Sequence, residues 1–188
     1  MPNESLTTTT QEIDILAGSG RALTLRLHTP VGAGPFPVVL DLHGGAWCNG
    51  HIDDCGLRDD TLAAAGIAAG ALDFRDGADG YPTSNQDINY AVRWVKANGK
   101  DLTLDPNRVG LVGQSSGGHL AMLAAMRPND ARYTEIPLDG VDATVQAVVM
   151  VWPVINPLSR YRHAHRERAS DNPPAWIGDI PERHDLYW

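Results

Sequence analysis

The chain has 188 residues, a length typical of one domain that can bury its own core. Its net charge is −8, from 23 acidic and 15 basic side chains, which argues against a nucleic acid as partner. The first residues are polar and no apolar run approaches about 18 residues, so we expect no leader, no membrane span and a cytoplasmic location. Cys48 and Cys55 are too few for a disulfide framework and are predicted to be free thiols.

The first predicted elements are two strands of an antiparallel hairpin. Residues 11–18 and 22–30 alternate apolar and polar side chains, and residues 18–20 (Gly-Ser-Gly) join them. Further along, four apolar runs lack this alternation, which is typical of strands buried on both faces of a parallel sheet. These runs cover residues 37–42, 66–72, 108–113 and 145–152.

Helical patterns lie between the apolar runs. One ends at Gly66, and another covers residues 118–126, where several alanines allow close packing on a sheet. The clearest covers residues 84–99, with an apolar face of helical period and a terminal glycine. Ser84 and Asp87 resemble a capping box at its start. Strands that alternate with helices after an antiparallel start predict an α/β fold, with a mostly parallel sheet and helices on both faces.

The pattern changes after residue 152. Residues 153–188 contain five prolines and no clear period, so we predict an irregular or cap-like segment, made of loops or short helices and not of sheet, within a single domain, residues 1–188. The run 145–152 would then form a sheet edge with unpaired backbone groups. We expect something to cover that edge: the tail, a second copy of the chain, or a C-terminal piece.

A GxSxG motif follows the third of the apolar runs. Gly113, Ser115 and Gly117 lie between that run and a helical pattern. A sharp strand-to-helix turn needs glycines there because side chains would clash, and it exposes the serine hydroxyl at the carboxyl edge of the sheet. The backbone N–H of Ser116 then points to where an oxyanion would form. The motif predicts Ser115 as the nucleophile of an acyl-transfer reaction.

A second motif follows the first apolar run. His43, Gly44 and Gly45 come directly after residues 37–42, and glycines there leave backbone N–H groups free to face a substrate oxygen. A plain glycine turn would have the same sequence. The presence of both motifs, each at the carboxyl end of a predicted strand, favours an acyl-transfer site.

Four stretches together resemble the α/β-hydrolase superfamily, in particular the hormone-sensitive-lipase-like esterases and related small carbohydrate-ester hydrolases and arylformamidases. They are HGGAW at 43–47, residues 72–87, residues 104–121 and residues 151–161. The resemblance implies that Ser115 is the nucleophile and that His43 has a structural hydrogen-bonding role. The implied oxyanion-hole donors are Gly44, Gly45 and Ser116. A small-molecule ester is the implied substrate, with no metal and no organic cofactor.

The resemblance also implies an acid and a histidine that follow the serine, on loops after two further strands. No such strands are evident after residue 152, so we expect the C-terminal strands, the acid and the histidine to lie outside this chain. Four histidines follow the serine and stay open as substitutes, although a surface location is expected of each: His119, His163, His165 and His184. His163 and His165 could also bind a metal, but no third ligand is evident.

Three functions stay open at this point. The first is a carboxylic ester hydrolase that forms an acyl-enzyme on Ser115. The second is a non-catalytic module or inactive fragment, and the third is a hydrolase of amides such as N-formyl groups. Trp47, Tyr81 and Trp152 either line an aromatic pocket or belong to the core.

Overall fold

A computed structural model describes residues 6–17 and 22–170, which form a six-stranded mixed sheet with flanking helices. The strands are β1 (Thr8–Asp14), β2 (Thr24–Pro30), β3 (Phe36–Leu42), β4 (Ala68–Leu72), β5 (Leu104–Gln114) and β6 (Ala147–Val151). The α-helices are α1 (Gly56–Ala64), α2 (Thr83–Asn98), α3 (Ser116–Met126) and α4 (Pro157–Arg168). Short 3-10 helices cover Ile52–Cys55, Gly77–Asp79 and Gly99–Leu102.

The sheet has the strand order β1-β2-β4-β3-β5-β6. β1 pairs antiparallel with β2, and β2 pairs antiparallel with β4. The pairs β3–β4, β3–β5 and β5–β6 are parallel. The predicted antiparallel start followed by a parallel sheet is therefore confirmed, whereas the connection at residues 18–20 lies outside the described residues.

Helices cover both faces of the sheet. On one face, Ala71 of β4 clusters with Ile52 and Cys55, which lie just before α1. Because neighbouring residues of a strand point to opposite faces, the next residue, Leu72, belongs to the other face. It joins the main core cluster together with Ile88 of α2 and Leu120 of α3. This two-sided burial explains why the parallel strands have no apolar–polar alternation.

The predicted start of α2 is wrong. The helix begins at Thr83, after Pro82, and no side chain caps its N-terminus. Ser84 lies inside the helix, where its hydroxyl donates to the Arg75 carbonyl at 2.5 Å. Asp87 is fully buried and accepts hydrogen bonds from the Arg75 guanidinium instead of closing a capping box. An ion pair to a distant residue offsets the cost of burying a carboxylate, and a local pattern does not predict it.

β6 lies at the edge of the sheet, as the sequence predicts. Val149 and Met150 point to opposite faces, and 55% and 42% of their respective surfaces are exposed. The following segment, predicted to be irregular, contains the 12-residue helix α4, of which only Ala164 is buried. The rest of that segment, residues 171–188, lies outside the described residues. Within the described part of the chain, no helix is long and apolar enough to cross a membrane.

Candidate active site

The pairing of β3 with β5 brings the two glycine motifs together. Leu42 and Gly113 are partners in the parallel register, so the residues that follow them leave the sheet side by side. A β-carbon added to Gly44 would lie 3.4 Å from the β-carbon of Ser115. Residues 71 positions apart in the chain thus form one site at the carboxyl edge of the sheet, where α/β folds place their ligands.

Ser115 occupies a strained turn between β5 and α3. Its backbone has φ of 55° and ψ of −116°, a conformation that non-glycine residues rarely adopt. Its N–H donates to the carbonyl of Val151 in β6 at 3.0 Å, and its carbonyl accepts from the N–H of Val154 at 3.1 Å. Strain of this kind persists only where surrounding structure holds it, and here β6 and the residues after it do so.

The flanking glycines are required because the turn is very tight. A β-carbon on Gly113 would lie 2.4 Å from the carbonyl oxygen of Gly117. A β-carbon on Gly117 would lie 2.2 Å from the Leu42 carbonyl oxygen. Ser116 opens α3, and the first N–H groups of a helix have no acceptor within the helix. Its N–H is therefore suited to stabilise a negative oxygen, helped by the helix dipole.

The loop after β3 is closed on itself by hydrogen bonds. Gly45 has φ of 98°, and its carbonyl accepts from the N–H groups of Cys48 and Asn49 at 3.1 and 2.9 Å. Ala46 and Trp47 also have positive φ, at 52° and 63°. The Trp47 ring is buried in the core cluster, so this residue packs the loop against the fold.

His43 is a structural residue of this loop. Its ring is buried and stacks on Phe74, with centroids 4.2 Å apart and planes inclined by 10°. Its Nδ1 atom lies 2.9 Å from the carbonyl oxygen of Gly44, to which it donates as the protonated nitrogen. This hydrogen bond orients the Gly44 peptide.

Other side chains contact the described histidines that follow Ser115. His119 lies one helical turn below it, buried edge-on against Trp47 with ring centroids 5.6 Å apart. The sequence predicts a surface location for His119, and this prediction is wrong because the first turn of α3 packs under the loop after β3.

The later histidines lie on α4 or beyond the described residues. His163 lies 3.8 Å from Glu167, and the His165 ring packs on Tyr161 at 4.2 Å. His184 lies outside the described residues. In the described part of the chain, no group of three histidine, cysteine or acidic side chains is placed to hold a metal ion.

The three aromatic residues predicted for the pocket or the core have different surroundings. Trp47 belongs to the core, whereas 77% of the surface of Trp152 is exposed. The Tyr81 hydroxyl lies 2.9 Å from the Tyr133 hydroxyl. Tyr81 lines a cavity of about 280 Å³, whose wall also includes His119.

One polar residue close to the site, Asp41, does not belong to a recognisable sequence motif. Asp41 is fully buried near the end of β3 and is bound by the Arg58 guanidinium of α1, which also reaches Gln114 at the end of β5. The only signal in the sequence is an acidic residue inside an apolar run, because a buried carboxylate needs a partner.

The chain is similar to a family model and to several proteins that are named esterases. A profile of the BD-FAE family matches residues 25–187. Esterase LipC of Mycobacterium tuberculosis is 35% identical over 121 residues, which are 63% of this chain and 30% of LipC. The versiconal hemiacetal acetate esterase of Dothistroma septosporum is 27% identical over 73% of this chain and 43% of its own length. The chain thus spans less than half the length of these relatives.

Solved structures share the fold. Esterase B from Lactobacillus Rhamnosis superposes with a TM-score of 0.75 and 27% identity, over 96% of this chain and 55% of that one. A bacterial heroin esterase superposes with a TM-score of 0.73 and 23% identity, over 98% of this chain and 55% of that one. The α/β-hydrolase fold expected from the sequence is confirmed.

Proposed function

The chain belongs to the BD-FAE family, and from this premise we propose that it is a serine hydrolase of carboxylic esters that forms an acyl-enzyme on Ser115. The observation that carries the proposal is the position of Ser115, in a strained turn at a helix N-terminus and beside Gly44. Relatives that are named esterases support an ester over an amide such as an N-formyl group.

In the proposed mechanism, the Ser115 hydroxyl attacks the ester carbonyl and forms a tetrahedral intermediate. The N–H groups of Gly44, Gly45 and Ser116 stabilise the negative oxygen, because fixed donors at a water-poor site need no reorganisation. The alcohol leaves, and water hydrolyses the acyl-enzyme. A histidine takes the serine proton and gives it to the leaving alcohol, and a carboxylate orients that histidine. We propose that both lie outside this chain, after the two further strands that the family resemblance implies.

The substrate is proposed to be a small-molecule ester, and the mechanism uses no metal or organic cofactor. The net charge of −8 disfavours nucleic acid as a partner. We further propose that residues 1–188 belong to one domain of a cytoplasmic protein. The free thiols of Cys48 and Cys55 support a reducing compartment.

Covalent labelling tests the proposal. In the protein that includes the segment carrying the histidine, a fluorophosphonate should attach one phosphonyl group, and peptide mass spectrometry should locate it on Ser115, because a serine activated by that base reacts with such reagents. The Ser115→Ala chain should take up no label, whereas a Ser159→Ala control on α4 should label like the unchanged chain. A folded protein that includes that segment and leaves Ser115 unlabelled would instead support a non-catalytic module.

We also propose that the exposed edge at residues 145–152 is covered in the working protein, by a second copy or by a C-terminal piece. Val149 and Met150 support this, because an apolar strand at a sheet edge is a template for pairing with another chain. Sedimentation of the isolated chain should show a dimer that Val149→Lys dissociates. Met126→Lys, which changes another exposed apolar residue, should leave the dimer intact. A monomeric chain would rule out the second copy and leave the C-terminal piece.

A further inference from the structure

Arg58 joins the ends of the two strands that carry the candidate site. Its Nε and Nη2 atoms each lie 2.5 Å from one oxygen of Asp41, so the contact is bidentate. Its Nη1 atom donates to the side-chain oxygen of Gln114 at 3.2 Å. Asp41 belongs to β3 and Gln114 to β5, whereas Arg58 belongs to α1. We call these three residues the Arg58 network.

The strand register explains why these side chains meet. Asp41 pairs with Val112 in the parallel ladder, so their side chains share one face of the sheet. Gln114 lies two residues after Val112 and therefore points to the same face. Asp41 precedes Gly44 by three residues, and we call the loop after β3 that contains Gly44 the Gly44 loop. Gln114 directly precedes Ser115. A hydrogen bond that joins the two strand ends thus acts next to both halves of the site.

The ion pair between Asp41 and Arg58 fixes the geometry of the Arg58 network. Asp41 is fully buried, and the guanidinium is the charged partner that such a carboxylate requires. The hydrogen bonds to Asp41 also raise the pKa of Arg58. Bidentate arginine–carboxylate pairs fix geometry as well as charge. The position of Arg58 is therefore set by Asp41, which leaves its third nitrogen to hold Gln114.

A second buried carboxyl group, that of Asp59, lies next to the Arg58 network. Asp59 is fully buried, and within the described part of the chain neither of its oxygens has a hydrogen-bond partner. Burial first, and then the charge of Asp41, raise the pKa of Asp59 to about 9. The raised pKa disfavours the anionic form of Asp59, and Asp41 is the carboxylate to which Arg58 donates.

We propose that Arg58 is a positioning residue that holds the Gly44 loop and Ser115 at the separation the oxyanion needs, through Asp41 on one side and Gln114 on the other. The inference rests on the proposed function. It adds a residue of α1 that does not touch the substrate. A displacement of a reacting group by about 1 Å can slow a reaction about 100-fold. We therefore expect the loss of the Arg58 hydrogen bonds to lower the reactivity of Ser115 more than the stability of the fold.

The test compares four variants with the unchanged protein, each including the segment that carries the histidine. Arg58→Lys keeps the positive charge but cannot make the bidentate contact with Asp41. Gln114→Met removes the oxygen that accepts from Nη1. Each should slow fluorophosphonate labelling of Ser115 about 10-fold. Gln114→Glu restores an acceptor and should recover most of the rate. The control is Arg26→Lys, because the Arg26 side chain is also ion-paired and also 23% exposed, but it contacts Glu12 and Asp53 instead.

Amide hydrogen exchange provides a second reading that does not depend on reactivity. Exchange at residues 43–46 and 113–118 should become about 10-fold faster in Arg58→Lys and Gln114→Met but not in Arg26→Lys, because local opening follows the loss of local contacts. If the unchanged protein, with the histidine-bearing segment included, does not label at all, the proposed function fails, and the exchange result alone decides on Arg58. Unchanged exchange in these two segments overturns the inference, as does a labelling rate that falls only in proportion to global stability.

Discussion

The Gly117→Ala chain is expected to lose about 3 kcal/mol of its free energy of unfolding, the upper end of the usual cost of overpacking. The added β-carbon would lie 2.2 Å from the Leu42 carbonyl oxygen and 2.3 Å from that of His43. Both contacts are with backbone that continues β3, so neither can move without disturbing the sheet. Denaturant unfolding should show a lower midpoint with an unchanged slope.

Gly56→Ala is the matched control for this change. Gly56 begins α1, and no atom lies within 4 Å of the position that its β-carbon would take. Alanine should leave the free energy of unfolding unchanged or raise it by about 0.5 kcal/mol, because it restricts the unfolded chain. Equal stabilities of the two alanine variants would show that the turn at Ser115 is looser than the structure indicates.

In the protein that includes the histidine-bearing segment, Gly45→Ala is expected to slow fluorophosphonate labelling about 100- to 1000-fold, the usual effect of losing one oxyanion donor. Gly45 has φ of 98°, and its added β-carbon would lie 2.2 Å from the backbone nitrogen of Gly50. The loop must shift to relieve this contact, and its N–H groups shift with it. The second-order rate of labelling at Ser115 measures the effect.

Gly140→Ala separates backbone strain from displacement of the donors. Gly140 also has positive φ, at 84°, but no atom lies within 4 Å of its added β-carbon. We expect this variant to lose some stability and to keep its labelling rate. If Gly45→Ala labels within about 3-fold of the unchanged chain, the loop after β3 does not supply the oxyanion donors that the mechanism requires.

Local rules explain why much of the fold was predictable. The continuous apolar runs at residues 37–42 and 108–113 are strands because both faces of a parallel sheet are buried. Gly66 follows the end of α1 with φ of 91°, a conformation in which glycine has no steric cost. The turn at Ser115 has its own sequence signature because only glycine fits at Gly113 and Gly117.

Local rules failed where distant residues compete for a side chain. Ser84 and Asp87 have the spacing of a capping box, yet both bind Arg75, which lies outside the helix. His119 was predicted at the surface and is buried against Trp47. In each case the outcome depends on which residues the fold places nearby, and the spacing along the chain does not contain that information.

By itself, the sequence determined the order of strands and helices and the positions of the two glycine motifs, because these depend on period, glycine and neighbouring residues. Only the tertiary structure decided that Gly44 lies against Ser115, because that contact requires β3 and β5 to be neighbours in register. The tertiary structure likewise decided that Arg58 links Asp41 to Gln114. Those residues are 17 and 56 positions from Arg58 in the chain, and strand pairing together with the packing of α1 brings them within hydrogen-bond distance.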